Sequence, residues 1–157
     1  MMETIAGIDP GKEGGIATVS QQRLVWATPM PMSGKEVDGH AIAEILHAQR
    51  PSLVVIEKAQ AMPKQGGVSM FRYGDGYGLI KGVCEGLGLP YVLVTPQAWK
   101  KRILAGTAKD KEAAINYVRR SWPSVDLTPG AKRKPHDGMA DAICMAEYGW
   151  REWRAAA

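Results

Sequence analysis

Two short apolar runs end in a carboxylate, Thr4-Ile5-Ala6-Gly7-Ile8-Asp9 and Leu53-Val54-Val55-Ile56-Glu57. Each has the length and residue types of a buried strand. A charge that closes such a run needs a partner, because burying a lone carboxylate is expensive. In open α/β sheets, sites form at the carboxyl ends of strands. If the two runs are neighbours, both carboxylates meet at one edge. A divalent cation would satisfy them there; so would a salt bridge to Lys12 or Lys58, or plain solvation.

The rest of the chain supplies the sheet around them. Pro10-Gly11 and Gly14-Gly15 bracket a turn, and residues 16–20 and 23–27 follow as strands, which predicts an antiparallel meander. Residues 29–39 read as a loop, and 40–49 as a helix stopped by Pro51. After Glu57 comes a loop to about residue 73 that holds Lys58, Lys64, Gly66-Gly67, Phe71 and Arg72, then a helix over 74–88 and a strand over 91–94. Thr95-Pro96 opens a further helix, an N-cap followed by proline at the first helical position. Helices are expected from Asp110 to Trp122 and from Asp137 to Trp153, with a Pro, Gly and Lys-rich loop between them. This order predicts an α/β fold with a mixed five-stranded sheet, three antiparallel meander strands plus parallel strands, and helices on both faces. A chain of 157 residues suits a single domain spanning 1–157.

Asp137 and Asp141 lie four apart at the start of the final helix. At 3.6 residues per turn they point the same way, about 40° apart. Like charges at that spacing destabilise a helix unless a cation joins them, although Asp137 could instead be the N-cap. The small Ala140, Ala142 and Ala146 let this helix approach a sheet closely. Four carboxylates, no cysteine ligands and few histidines favour Mg²⁺, with Mn²⁺ as substitute, over Zn²⁺. Two such ions suit in-line attack of water on a phosphodiester.

Charge is unevenly placed. Between Trp99 and Lys134, ten Lys and Arg stand against three acids; elsewhere ten basic residues stand against thirteen acidic ones. A basic C-terminal half, including Lys101, Arg102, Lys109, Lys132, Arg133 and Lys134, is the footprint of a polyanion partner or a solvated helix face. Cys84 and Cys144 each sit in an apolar, helix-like segment, which argues against a disulfide framework or a zinc cluster. No apolar run of 18 residues predicts a membrane span, and the N-terminus shows no secretory signal, so a cytoplasmic protein is expected.

These pieces together resemble the RuvC-type Holliday-junction resolvases of the RNase H-like, or retroviral-integrase, superfamily, and most of all their short phage-encoded branch. The carrying residues are Gly7-Ile8-Asp9-Pro10-Gly11, Val54-Val55-Ile56-Glu57-Lys58, Val94-Thr95-Pro96-Gln97-Ala98-Trp99-Lys100, Lys109-Asp110-Lys111 and His136-Asp137-Gly138-Met139-Ala140-Asp141-Ala142. They cover about residues 4–150. The resemblance implies a dimeric, Mg²⁺-dependent endodeoxyribonuclease of the host cytoplasm that nicks opposed strands of a four-way DNA junction with two ions per site. Asp9 would bridge both metals, Glu57 would hold one, and Asp141 with Asp137 the other. Lys100 and Lys111 match the two basic residues that family members place near the scissile phosphate. The chain departs from the bacterial cellular pattern at Gly138, where the ligand three residues before the last acid would stand; Asp137 is therefore the expected fourth ligand, with His136 its rival as ligand or proton shuttle.

Gly74, Gly78, Gly82 and Gly86 recur through a predicted helix, each costing roughly 1 kcal/mol relative to alanine. Such a stripe serves close packing on the sheet or against a second subunit, and a two-fold dimer supplies two sites for two cuts. The preceding Lys64, Phe71, Arg72 and Tyr73 could stack on unpaired bases at a junction, or Phe71 could plug the core. The alternatives are a related nuclease acting on other branched DNA or RNA, and a junction-binding module without catalysis. The four acids oppose the last, because binding DNA gains nothing from buried negative charge.

Overall fold

The computed structural model describes residues 2–60 and 63–154. Strands β1 (Thr4–Asp9), β2 (Gly15–Ser20) and β3 (Val25–Pro29) form the antiparallel meander. Strand β3 begins two residues later than the sequence predicts, because Arg23 adopts a left-handed backbone (φ +67°) and the turn is tied by Ser20 on both sides. Residues 29–39 are not all loop. Met32–Ser33 (β4) and Glu36–Val37 (β5) pair as a small separate hairpin whose turn opens at Gly34, φ +62°.

Helix α1 (Gly39–Gln49) starts at Asp38, whose side chain accepts from the Ala41 amide at 3.0 Å. It leads into β6 (Leu53–Glu57), which runs parallel to β1 with Ile8 opposite Ile56. Helix α2 (Gly67–Gly86) leads into β7 (Tyr91–Val94), parallel to β6. The sheet order is β3-β2-β1-β6-β7, so the mixed five-stranded sheet matches the expectation. Helix α2 starts seven residues earlier than predicted. Phe71, Arg72 and Tyr73 therefore belong to helix, not to the loop in front of it.

Helices α3 (Pro96–Ile103), α4 (Ala113–Ser121) and α5 (Asp137–Gly149) follow, with a 3-10 turn at Pro129–Ala131 and a π-helical turn at Trp150–Arg154. Two cores flank the sheet. Ile5, Ala17, Val19 and Val55 meet α3, α4 and α5 on one face; Ala6, Ile8, Ile16, Val54 and Ile56 meet α1 and α2 on the other. This is the period-two alternation of strands buried on both sides.

Helix α5 lies against β1 and β2 almost backbone to backbone. A Cβ on Gly7 would stand 2.1 Å from the Ala142 carbonyl oxygen, and one on Gly138 would stand 2.3 Å from the Glu13 carbonyl oxygen. Glycine at both positions, with alanine at 142 and 146, permits this approach, and it brings the first turns of α5 to the carboxyl end of β1.

Candidate active site

Alternation along β1 places Asp9 on the same face as Ile5 and Gly7, the face that α5 covers. The same alternation along β6 places Glu57 with Val55 on that face, and the Ile8–Ile56 register sets the two acids on adjacent strand ends. Asp141 joins them from α5. Burial and then the neighbouring charges of Glu57 and Asp141 push Asp9 up to about 8, with Lys100 opposing. Burial and then Glu57 push Asp141 up to about 7; Lys100 again opposes, and Asp137 adds to the rise. Three elements, β1, β6 and α5, thus bring carboxylates into one electrostatic cluster, and α3 supplies a lysine within reach of two of them.

Neither Lys12 nor Lys58 forms an ion pair with these acids among the described residues. Glu57 instead accepts a 2.8 Å hydrogen bond from the indole Nε1 of Trp99, a contact across 42 residues that the sequence reading missed. Tyr73 reaches the cluster from α2: its ring covers Gly11, and burial and then Asp9 and Glu57 push its hydroxyl up to about 12.

At the start of α5 the N-cap is His136 and not Asp137. Its Nδ1 accepts from the Met139 amide at 3.1 Å. An amide can only donate, so Nδ1 carries the lone pair and a neutral ring bears its proton on Nε2. Asp137 is the first helical residue, exposed and within electrostatic range of Asp141. The buried Gly138 has no room for a side chain, so the three-residue ligand spacing has no place here.

The donors are all carboxylate oxygens, the chemistry of a hard divalent cation. Among the described residues, no three His, Cys, Asp or Glu side chains are gathered closely enough to hold an ion as they stand. Coulombic coupling extends beyond coordination distance, so the two observations agree: the acids share a site without forming a closed cage. The donor set fits such an ion by chemistry rather than by preformed geometry.

No protein-family model matches the chain. A curated relative, the crossover junction endodeoxyribonuclease RuvC of Myxococcus xanthus, is 24% identical over 157 residues, covering 92% of this chain and 81% of the relative. The structure of Thermus thermophilus RuvC in complex with a Holliday junction superposes with a TM-score of 0.66 at 23% identity, over 99% of this chain and 97% of that one. Fowlpox virus resolvase, solved with Holliday junction DNA, gives 0.55 at 14% identity over 92% and 96%. The chain has the RuvC-like resolvase fold. In this RuvC-like chain the acid cluster sits at the strand ends of the sheet that these superpositions cover almost entirely.

The other basic and aromatic candidates lie on the surface. Lys111 is exposed in the turn before α4, and no ion pair or hydrogen bond joins it to the acids among the described residues. Lys64, Arg72, Lys101, Lys109, Lys132, Arg133 and Lys134 are all exposed. Arg102 is paired with Glu152 at 2.8 Å. Phe71 is 77% exposed, so it does not plug the core. Nothing lies within 4 Å of a Cβ built on Gly74, Gly78, Gly82 or Gly86, so this stripe does not pack on the sheet of its own chain.

Proposed function

We propose that this chain is a structure-selective endodeoxyribonuclease that resolves four-way DNA junctions by paired nicks, acting as a homodimer with two divalent ions, Mg²⁺ by preference, in each site. The observation that carries this reading is the meeting of Asp9, Glu57 and Asp141 from three elements, two of them holding protons far above the ordinary carboxylate range. Such a cluster is costly without a cation, and a module that merely bound a polyanion would gain nothing from it.

In this reading Asp9 would be shared by the two ions, Glu57 would hold one, and Asp141 with Asp137 would hold the other. The bound ions would activate water and neutralise the leaving oxygen. Lys100 contributes a charge that does not depend on metal, placed to meet negative charge developing on the phosphate. Lys111 acts in the same way if its turn closes on DNA. His136 caps α5, and its Nε2–H is free in type to donate to a phosphate. Lys64, Arg72, Lys101, Lys109, Lys132, Arg133 and Lys134 neutralise backbone phosphates, while Phe71 and Tyr73 stack on unpaired bases. The exposed glycine stripe of α2 supports a close helix contact between subunits, which would supply two opposed sites. The short phage-encoded branch and a bacterial cytoplasm are the setting implied.

The test compares labelled four-way junction, Y-fork, flap and RNA–DNA hybrid with Mg²⁺ or Mn²⁺. Symmetric nicks in the junction, lost in Asp9→Asn while junction binding persists or tightens, are expected. Preferred cleavage of the hybrid or flap would assign the site to another branched or RNA substrate, and metal-dependent cleavage by Asp9→Asn at the native rate would end the metal-centre reading.

A further inference from the structure

Trp99 touches both kinds of charge in the acid cluster. Its ring is fully buried in the core between the sheet and α5. A buried indole N–H must find an acceptor, and here the acceptor is Glu57 Oε2 at 2.8 Å. A donor aimed at a carboxylate makes a stronger bond than one aimed at a neutral oxygen. The next residue, Lys100, holds its ammonium 5.5 Å from the centre of the same ring. Lys100 is also the charge that opposes the raised proton affinity of both Asp9 and Asp141. The start of α3 is itself fixed, with Thr95 Oγ1 accepting from the Ala98 amide at 3.2 Å and Pro96 in the first turn.

We propose that Trp99 is a positioning residue of this site, whose indole N–H fixes one oxygen of Glu57 and leaves the other for a divalent cation, while its ring face holds Lys100 beside the acids. A carboxylate of this kind otherwise samples several rotamers, and binding a cation must first select one of them. The bond makes that selection in advance. Outer partners of metal ligands act in this way, and their loss typically costs 10–100-fold in metal affinity or activity. The consequence for DNA cleavage rests on the nuclease reading above; the effect on cation binding does not.

Trp99→Phe keeps an aromatic face for Lys100 and removes the donor together with the second ring of the indole. Mn²⁺ affinity, read by calorimetry on the otherwise native protein, should fall about tenfold or more, while metal-free binding to a four-way junction stays within twofold. Unchanged Mn²⁺ affinity in folded Trp99→Phe would overturn the proposal. A second measurement does not depend on that variant folding. With ¹⁵N-indole labelling of the five tryptophans, one indole N–H resonance should move both on Mg²⁺ addition and in Glu57→Gln. If no indole resonance responds to both, Trp99 does not position Glu57 for a cation. A wild-type protein that binds Mn²⁺ through this Trp99-dependent site yet cuts no branched DNA would refute the nuclease reading alone. Junction cleavage with equal Mn²⁺ affinity in wild type and Trp99→Phe would refute the positioning role alone.

Discussion

Three consecutive residues support the proposal of Asp137 as fourth ligand. Gly138 cannot carry a side chain, because its Cβ would press to 2.3 Å from the Glu13 carbonyl oxygen. His136 has committed Nδ1 to the Met139 amide. In the proposed reading Asp137, exposed and within electrostatic range of Asp141, turns toward the cation. Asp137→Asn should therefore lower the single-turnover cleavage rate by roughly 10²-fold or more while leaving the melting temperature nearly unchanged. His136→Ala should do the reverse, costing about 1 kcal/mol of stability as a lost cap, with at most about a tenfold loss of rate. His136→Asn supplies another capping oxygen and should restore the melting temperature; if it also restores the rate, capping is the whole role of His136. A dead His136→Asn beside an active Asp137→Asn would invert the assignment. The sequence showed the acids at this end of the chain and offered Asp137 only as an alternative cap, one residue late, because Asp is a common N-cap and histidine an uncommon one. In the sequence Trp99 stands only as a member of the Val94–Lys100 run: its bond to Glu57 spans 42 positions and leaves no trace in local periodicity.

At the scale of elements, what could be read depended on how each one is buried. Strands β1 and β6 are covered on both faces, so each appears as an unbroken apolar run, and the acid that ends it stands out. Helix α2 is different. Only Gly76, Ile80 and Cys84 are buried along its length, and Val68, Met70, Phe71 and Leu79 are exposed. With no buried residue before Gly76 and a Gly66-Gly67 start that has no side-chain cap, its first two turns pass for loop. The β4–β5 hairpin escaped for a simpler reason, each strand being two residues long. The exposed face of α2 leads to a test. In a monomer, Gly78→Ala would fill open space and stabilise the helix by up to about 1 kcal/mol. In the proposed dimer, the bulkier Gly78→Leu should dissociate the subunits, because the partner backbone would approach where the side chain now stands. Light scattering coupled to size exclusion, read beside the melting temperature, separates the cases. A Gly78→Leu variant that remains dimeric would remove this stripe from the subunit contact.

For the whole molecule, the acid cluster is a stability cost that a cation should relieve. Asp9 and Asp141 are raised from an ordinary 3.8 to about 8 and about 7, by burial first and then by neighbouring charge. Well below pH 4 both are protonated in the folded and unfolded chain, and neither costs anything. As pH rises past 4 the unfolded chain releases these protons while the fold retains them, so this contribution to stability falls. The loss continues until pH passes the folded values near 7 and 8, above which the full cost is present. Asp9→Asn removes the largest share of it. In chelator, wild type and Asp9→Asn should melt at similar temperatures at pH 4.5, while at pH 8.5 the variant should melt about 5 °C higher, as expected for a difference of one to two kcal/mol in a domain of this size. A divalent cation replaces the missing protons and binds only the folded site, so millimolar Mn²⁺ should raise the wild-type melting temperature at pH 8.5 and do much less at pH 4.5. Asp9→Asn should respond weakly at both. Melting curves in chelator that stay parallel for the two proteins across this range would show that Asp9 is not held against its charge. An equal gain from Mn²⁺ in both proteins would place the cation somewhere other than the carboxyl end of β1.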